Sequence, residues 1–264
     1  MTRIIAIANQ KGGVGKTTTC VNLAASIAAA KKRVLLIDLD PQGNATMGSG
    51  CDKAAAEKTV TEMLLNEASI KEVMIFSERA GYHVLPANGE LTRAEVAMIS
   101  LTRREFRLKE ILATVATDFD FIFIDCPPSL NMLTVNALVA ADSVIIPMQC
   151  EYYALEGLSA LINTIEQIRQ SVNPTLHVEG VIRTMFDSRS CLSTDVSEQL
   201  KTHFGPKLYK AVIPRNIRLA EAPSFGLPAL QYDKRSPGAQ AYLVLASELL
   251  MRQKQTKADK KATA

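Results

Sequence analysis

Eight residues, Lys11-Gly-Gly-Val-Gly-Lys16-Thr17-Thr18, follow the apolar run Ile4-Ile5-Ala6-Ile7-Ala8 after only Asn9 and Gln10. A strand that ends in a glycine loop and feeds a helix builds a cradle for phosphate. Gly12, Gly13 and Gly15 carry no Cβ, so backbone N–H groups from Gly12 through Val14 to Thr18 can close around β- and γ-phosphate oxygens. Lys16 supplies a positive charge, Thr17 a hydroxyl for Mg²⁺, and the helix that follows points its positive end at the anion. The strict P-loop pattern places a glycine six residues before that lysine. Gln10 stands there instead, and a second lysine, Lys11, lies five residues before Lys16. The segment predicts binding of ATP or GTP.

Two further apolar runs end on carboxylates. Phe121-Ile-Phe-Ile-Asp125 is followed by Cys126-Pro127-Pro128, the layout of a Walker B aspartate that holds Mg²⁺ directly or through water while prolines fix the outgoing chain. Val34-Leu-Leu-Ile-Asp38 continues into Leu39-Asp40-Pro41-Gln42-Gly43. Asp38 and Asp40, two residues apart, point the same way if the strand geometry persists. Beside a bound triphosphate, one carboxylate would help order the Mg²⁺ shell and the other would orient the attacking water. Spacing alone also allows a capping pair.

These residues need strands to deliver them to one edge of a sheet. Apolar runs at 3–8, 33–37, 82–86, 120–124, 143–147, 177–183 and 207–213 are rich in Ile, Val and Leu, as strands buried on both faces are. Helical stripes lie between them: Leu108, Ile111, Leu112 and Val115; Leu155, Leu158, Ile162, Ile165 and Ile168; Val196, Leu200 and Phe204. Thr59-Val-Thr-Glu62 reads as a capping box. The expectation is an α/β protein, a mostly parallel twisted sheet of about seven strands with helices on both faces, of the P-loop NTPase type. At 264 residues with 47% hydrophobic content the chain has material for one large core. One domain is expected over 1–252, with a basic, disordered tail over 253–264. Lys254, Lys257, Lys260 and Lys261 against Asp259 give that tail a charge of +3, equal to the net charge of the whole chain. Any basic surface on the folded body is therefore local. The five cysteines form no C-x-x-C pair, which disfavours disulfide and zinc frameworks and fits a reducing, cytoplasmic setting. No signal-peptide core precedes the first strand, and no apolar run approaches the roughly 18 residues of a membrane span.

The three carboxylate and lysine motifs together resemble the deviant-Walker ATPases of the ParA/MinD group. Gln149-Cys-Glu-Tyr-Tyr-Ala-Leu-Glu-Gly157, Ile213-Pro-Arg-Asn-Ile-Arg-Leu219 and Glu221-Ala-Pro-Ser224 narrow the likeness to chromosomal ParA, also called Soj, over roughly residues 2–250. The resemblance implies an ATPase using Mg²⁺, whose ATP-bound sandwich homodimer binds double-stranded DNA without sequence preference at the nucleoid. A ParB-type centromere-binding partner stimulates its weak turnover and releases it. Position by position, Lys11 matches the lysine that reaches the partner's phosphates, Lys16 the phosphate lysine, and Thr17 and Asp125 the Mg²⁺ residues. Asp40 matches the aspartate that positions water beside the metal. Glu151 matches a contact to the partner's ribose, and Met185, Pro214 and Asn216 fall where the family holds adenine. Arg189 and Arg218 match basic positions linked to DNA, a patch that Lys234, Arg235 and Arg252 would extend.

The main alternative is a membrane-bound MinD-type division-site ATPase, which needs an amphipathic C-terminal helix. The end of this chain offers no apolar face beyond Met251. An iron–sulfur ATPase of the nitrogenase iron-protein type is disfavoured by the placement of Cys20 and Cys126, and a P-loop metabolic ligase by the lack of a recognisable second substrate site.

Overall fold

The computed structural model describes residues 2–152 and 154–262. Tyr153 of the 149–157 motif, the side chain of Leu155, and those of Lys257, Lys260 and Lys261 lie outside the described residues. Eight strands form one sheet: Arg3–Ile7 (β1), Val34–Asp38 (β2), Ile75–Ser77 (β3), Tyr82–Leu85 (β4), Phe121–Asp125 (β5), Ser143–Gln149 (β6), His177–Phe186 (β7) and Leu208–Pro214 (β8). Their order is β3-β4-β2-β5-β1-β6-β7-β8. Every pairing is parallel except β3 with β4. All seven expected strands are present. The eighth, β3, is a three-residue antiparallel edge, too short for any alternation signal to reveal it.

Helices cover both faces, because adjacent residues of a strand point to opposite sides and both sides here are apolar. Ala6, Ile37, Ile122, Ile124 and Ile146 face one core. It is closed by Val60–Leu64 (α3), Ile70–Val73 (α4), Leu91–Met98 (α5), Arg107–Ala113 (α6), Met132–Ala140 (α7), Ala154–Ser171 (α8) and Cys191–Phe204 (α9). Ile5, Ile7, Leu36, Phe123 and Ile145 face the other. Lys16–Ala29 (α1), Asn44–Gly48 (α2), Ile217–Glu221 (α10), Ala229–Tyr232 (α11) and Pro237–Ala262 (α12) close that side. The three helical stripes land inward as expected, with Leu108, Leu112, Leu158, Ile165, Val196 and Leu200 buried. Thr59 and Glu62 form the capping box at α3. A second box, Ser69 with Glu72, opens α4.

α12 continues as helix through Ala262, across most of the segment 253–264 expected as a basic, disordered tail. Ala, Gln and Lys, which dominate this end, are strong helix formers, and the helix is already nucleated by its packed first turns.

The register of the central strands sets up the chemistry. β5 pairs with both β1 and β2, so that Asp125 lies level with Ile7 on one side and Asp38 on the other. The glycine loop begins at Lys11, four residues beyond the end of β1 at Ile7. Parallel strands thus deliver the cradle and both carboxylates to the same end of the sheet.

Candidate functional site

The cradle takes its shape from two left-handed glycines, Gly13 (φ 73°) and Gly15 (φ 85°). An L side chain is strained in that region. Asn9 anchors the loop at its base: its amide donates to Pro147 O at 2.8 Å and its Oδ1 accepts from Lys11 N at 2.9 Å. From the far side, Thr184 Oγ1 donates to Val14 O at 2.8 Å, which ties β7 to the loop. Lys16, the first residue of α1, is only 7% exposed. Its Nζ donates to Lys11 O at 3.1 Å. Burial lowers its pKa, against the pull of Asp125. A desolvated ammonium with only a carbonyl partner lacks an anion.

A cavity of about 420 Å³ opens over the loop. Its walls bring together Gly12, Gly13, Gly15, Lys16, Thr17, Thr18 and Asp40 with Met185, Pro214 and Asn216. These last three lie nearly two hundred residues away in sequence. Met185 adopts a left-handed backbone (φ 48°), which turns the chain out of β7 beside the cavity. The Oδ1 of Asn216 is buried without a hydrogen-bond partner. Thr184, Asn44 and Tyr242 also line this space and escaped the sequence reading. Tyr242 OH lies 3.1 Å from Thr19 Oγ1 on α1.

Asp125 is fully buried, and neither carboxylate oxygen has a hydrogen bond of ordinary geometry. Burial first, and repulsion from Asp38 second, push its pKa well above the usual carboxylate range, with the Thr17 hydroxyl beside it opposing only in part. Orphaned carboxylate oxygens beside a threonine hydroxyl fit a hard divalent cation such as Mg²⁺, which keeps several waters and shares its shell with phosphates. Among the described residues no cluster of three or more His, Cys, Asp or Glu side chains forms a closed metal cage, an arrangement such a cation does not need. Cys20 and Cys126 are buried with thiol pKa values pushed up by burial, the wrong state for thiolate ligands.

Asp38 and Asp40 divide their work. Asp38 is buried and accepts from Thr46 N and Thr46 Oγ1, each at 2.8 Å, and from Asp40 N at 3.1 Å. Burial raises its pKa to about 6, against those hydrogen bonds. Asp38 therefore holds the loop that presents Asp40, and Asp40 itself reaches the cavity.

A native carboxyl that keeps its proton after the unfolded chain has released it makes stability fall with rising pH. The slope is about 1.4 kcal/mol per pH unit between the unfolded and folded pKa values. Asp125→Asn removes one such contribution. The expected result is a flatter decline of metal-free stability as pH rises above the ordinary carboxylate range, read by urea unfolding, and loss of the Mg²⁺-dependent part of nucleotide stabilisation. An unchanged slope would place Asp125 outside the titrating pair.

Lys11 sits differently from Lys16. Its ammonium lies outside the cavity walls and pairs with Glu151 of the same chain at 2.5 Å, both side chains being 42–45% exposed. Such an exposed pair is worth about 0–1 kcal/mol and separates readily. Arg189, 89% exposed, pairs with Asp187 at 2.8 Å. Arg218 pairs with Glu221 at 2.8 Å and Asp233 at 3.4 Å. Lys234 and Arg235 are exposed in the turn before α12. Arg252 does not join them. Because α12 runs back along β8, its guanidinium lies at the opposite end of that strand, 3.9 Å over the Tyr209 ring and 2.7 Å from Glu248. It also donates to Glu179 O and Leu208 O. It packs the helix onto the sheet edge, away from Lys234 and Arg235.

A family model described as an AAA domain matches residues 2–178. The chain is 51% identical over 250 residues to the chromosome partitioning protein ParA of Myxococcus xanthus, covering 95% of this chain and 88% of that protein. It is 52% identical over 249 residues to the sporulation initiation inhibitor protein Soj of Bacillus subtilis, covering 94% and 98%. Among solved structures, cobyrinic acid a,c-diamide synthase from Mycobacterium smegmatis, with a bound ATP analog and magnesium, matches with a TM-score of 0.85 and 38% identity over 96% of each chain. No helix among the described residues is long and apolar enough to cross a membrane. With the phosphate cradle, the level pair of buried aspartates and the outlying second lysine all in place, the chain belongs to the ParA/Soj family of P-loop chromosome-partitioning ATPases.

Proposed function

We propose that the protein is an ATP-driven partitioning switch. ATP and Mg²⁺ occupy the cavity over the glycine loop, two copies close face to face around the nucleotides, and the dimer binds double-stranded DNA without reading its sequence. Hydrolysis, stimulated by a ParB-type partner, releases it. The observation that carries this reading is the split between the two lysines. Lys16 is buried in its own cradle, whereas Lys11 stands outside it in an exposed pair, free to serve a phosphate that belongs to another copy. Glu151, freed by the same movement, would meet the partner's ribose. The unpartnered Oδ1 of Asn216 is an acceptor suited to the amino group of adenine, and Asp125 with Thr17 would hold the metal. The likeness to a synthase supports the same nucleotide site, and the higher identity to partitioning proteins favours the partitioning reading.

Arg189 and Arg218 are each committed to exposed carboxylates, so DNA phosphates must displace those partners. That exchange costs little, since exposed pairs are weak and counterion release favours the polyanion. Co-sedimentation with DNA in ATP, in ADP and without nucleotide tests the switch, and equal binding in all three would refute it. Arg189→Glu and Arg218→Glu should weaken binding while sparing ATP-driven dimerisation. Two copies sit on one duplex, so each substitution should lower the log–log salt slope by about two units. Deleting residues 253–264 is the control. If the deletion abolishes binding while the arginine variants bind normally, DNA is held by the end of α12 instead.

Asp40→Ala should separate binding from chemistry. Without the carboxylate that orders water, ATP stays uncleaved and the DNA-bound dimer accumulates. Normal single-turnover cleavage would move that role to another residue.

A further inference from the structure

We propose that the outer edge of β3 is a docking strand for an extended, acidic segment of a partner protein. β3 is the terminal strand of the sheet and pairs on one side only, with β4. An open edge with apolar side chains is a liability that proteins blunt with charge, proline or cover. Here Ile75 is 38% and Phe76 53% exposed. Successive strand residues face opposite sides of a sheet, and each of these two residues borders its own cavity. Phe76 lines a space of about 400 Å³ with Lys32, Arg33, Lys71 and His83. Ile75 lines one of about 380 Å³ with Ala55, Glu57 and Lys58.

Two separate cavities border successive residues of one open strand, and the side chains of an added strand would alternate between them. Its backbone would pair with β3 while alternate side chains enter the two spaces. Charge decides what those side chains are. On the Phe76 side, Lys32 and Lys71 make no ion pair among the described residues, and Arg33 is held by Asp120 at 3.2 Å. Asp118 is the one acidic side chain in that wall. The rings of Phe76, His83 and Phe119 stack edge to face at 5.0 and 5.4 Å, which gives this side a rigid aromatic floor. On the Ile75 side, Lys58 is neutralised by Glu72 at 2.6 Å, leaving Glu57 and small apolar residues. The complementary segment alternates acidic residues, facing Lys32 and Lys71, with small apolar ones facing Ile75. Pairing of β3 with a second copy of this chain is disfavoured, because it would bring the same lysines toward one another.

The test uses the full chain and a fluorescein-labelled decapeptide of alternating Val and Glu, followed by anisotropy. Binding is expected for this peptide and not for one alternating Val and Lys. N-methylation of every second residue, which removes the edge hydrogen bonds, should abolish it. Lys32→Glu with Lys71→Glu, and separately Phe76→Ala, should weaken binding by about tenfold or more while nucleotide binding and ATP turnover stay unchanged. No binding of the Val–Glu peptide, equal binding of the N-methylated form, or binding that survives both sets of substitutions would overturn the proposal. So would a nucleotide-independent dimer of the chain that Phe76→Ala dissolves, since the edge would then belong to a second copy.

Discussion

Lys16→Ala should leave a folded protein that no longer binds nucleotide. In the free protein the Lys16 ammonium is buried, desolvated, and bonded only to the Lys11 carbonyl. Removing it therefore sacrifices little native interaction and relieves a desolvation cost. The nucleotide, in contrast, loses the buried ammonium of the cradle. A charge-assisted contact to phosphate in a water-poor site is worth about 1.5–3 kcal/mol or more, so affinity should fall by roughly 10- to 10²-fold or more. Two measurements separate the effects. The thermal midpoint without nucleotide should stay within a few degrees of the parent, while the upward shift that ADP and Mg²⁺ give the parent should vanish. Retained affinity with unchanged stability would sink the assignment of this loop to phosphate. A collapse of the nucleotide-free midpoint would instead make Lys16 a structural residue.

The phosphate loop was legible because its chemistry is contiguous: eight consecutive residues carry the turn, the charge and the hydroxyl. The strands were legible because burial on both faces leaves long apolar runs that helices and turns interrupt. What escaped was information held across distance. Thr184 supports Val14 from 170 positions away, and a lone threonine near a strand end carries no mark of that partnership. Thr46 looks like an ordinary helix residue until its hydroxyl is found between Asp38 and the backbone N–H of Ala87. β3 was missed because three residues cannot show a period. Arg252 marks the opposite limit: its charge is visible in the sequence, but its place on α12 is not, and four turns of helix carry it from the nucleotide end of β8 to the far end. The lysines and alanines of the last residues suggest a disordered tail by composition, yet they extend a helix once a packed segment precedes them.

Lys11→Ala should bind ATP as the parent does and fail at both dimerisation and turnover. Binding survives because the Lys11 side chain is no part of the cavity wall, and its backbone carbonyl, which Lys16 uses, is kept. A cation that acts only in the assembled site stabilises charge on the transferring phosphoryl group, as an arginine finger supplied in trans does, and its loss should lower turnover on the order of 10³-fold. Light scattering with ATP reads the dimer, and a normal dimer would refute the role in trans. Mixing separates the two subunits' contributions further. Lys11→Ala keeps its own Asp40, and Asp40→Ala keeps its own Lys11. In a mixed dimer one site combines the intact Asp40 of the first with the Lys11 of the second, and the other site lacks both. Two preparations that are each inactive should therefore recover activity when combined, up to about a quarter of the parent's under random pairing. If Lys11 served its own nucleotide instead, every site in the mixture would carry one defect and no activity would return. Lys11→Ala alone would then show weakened ATP affinity beside an intact dimer.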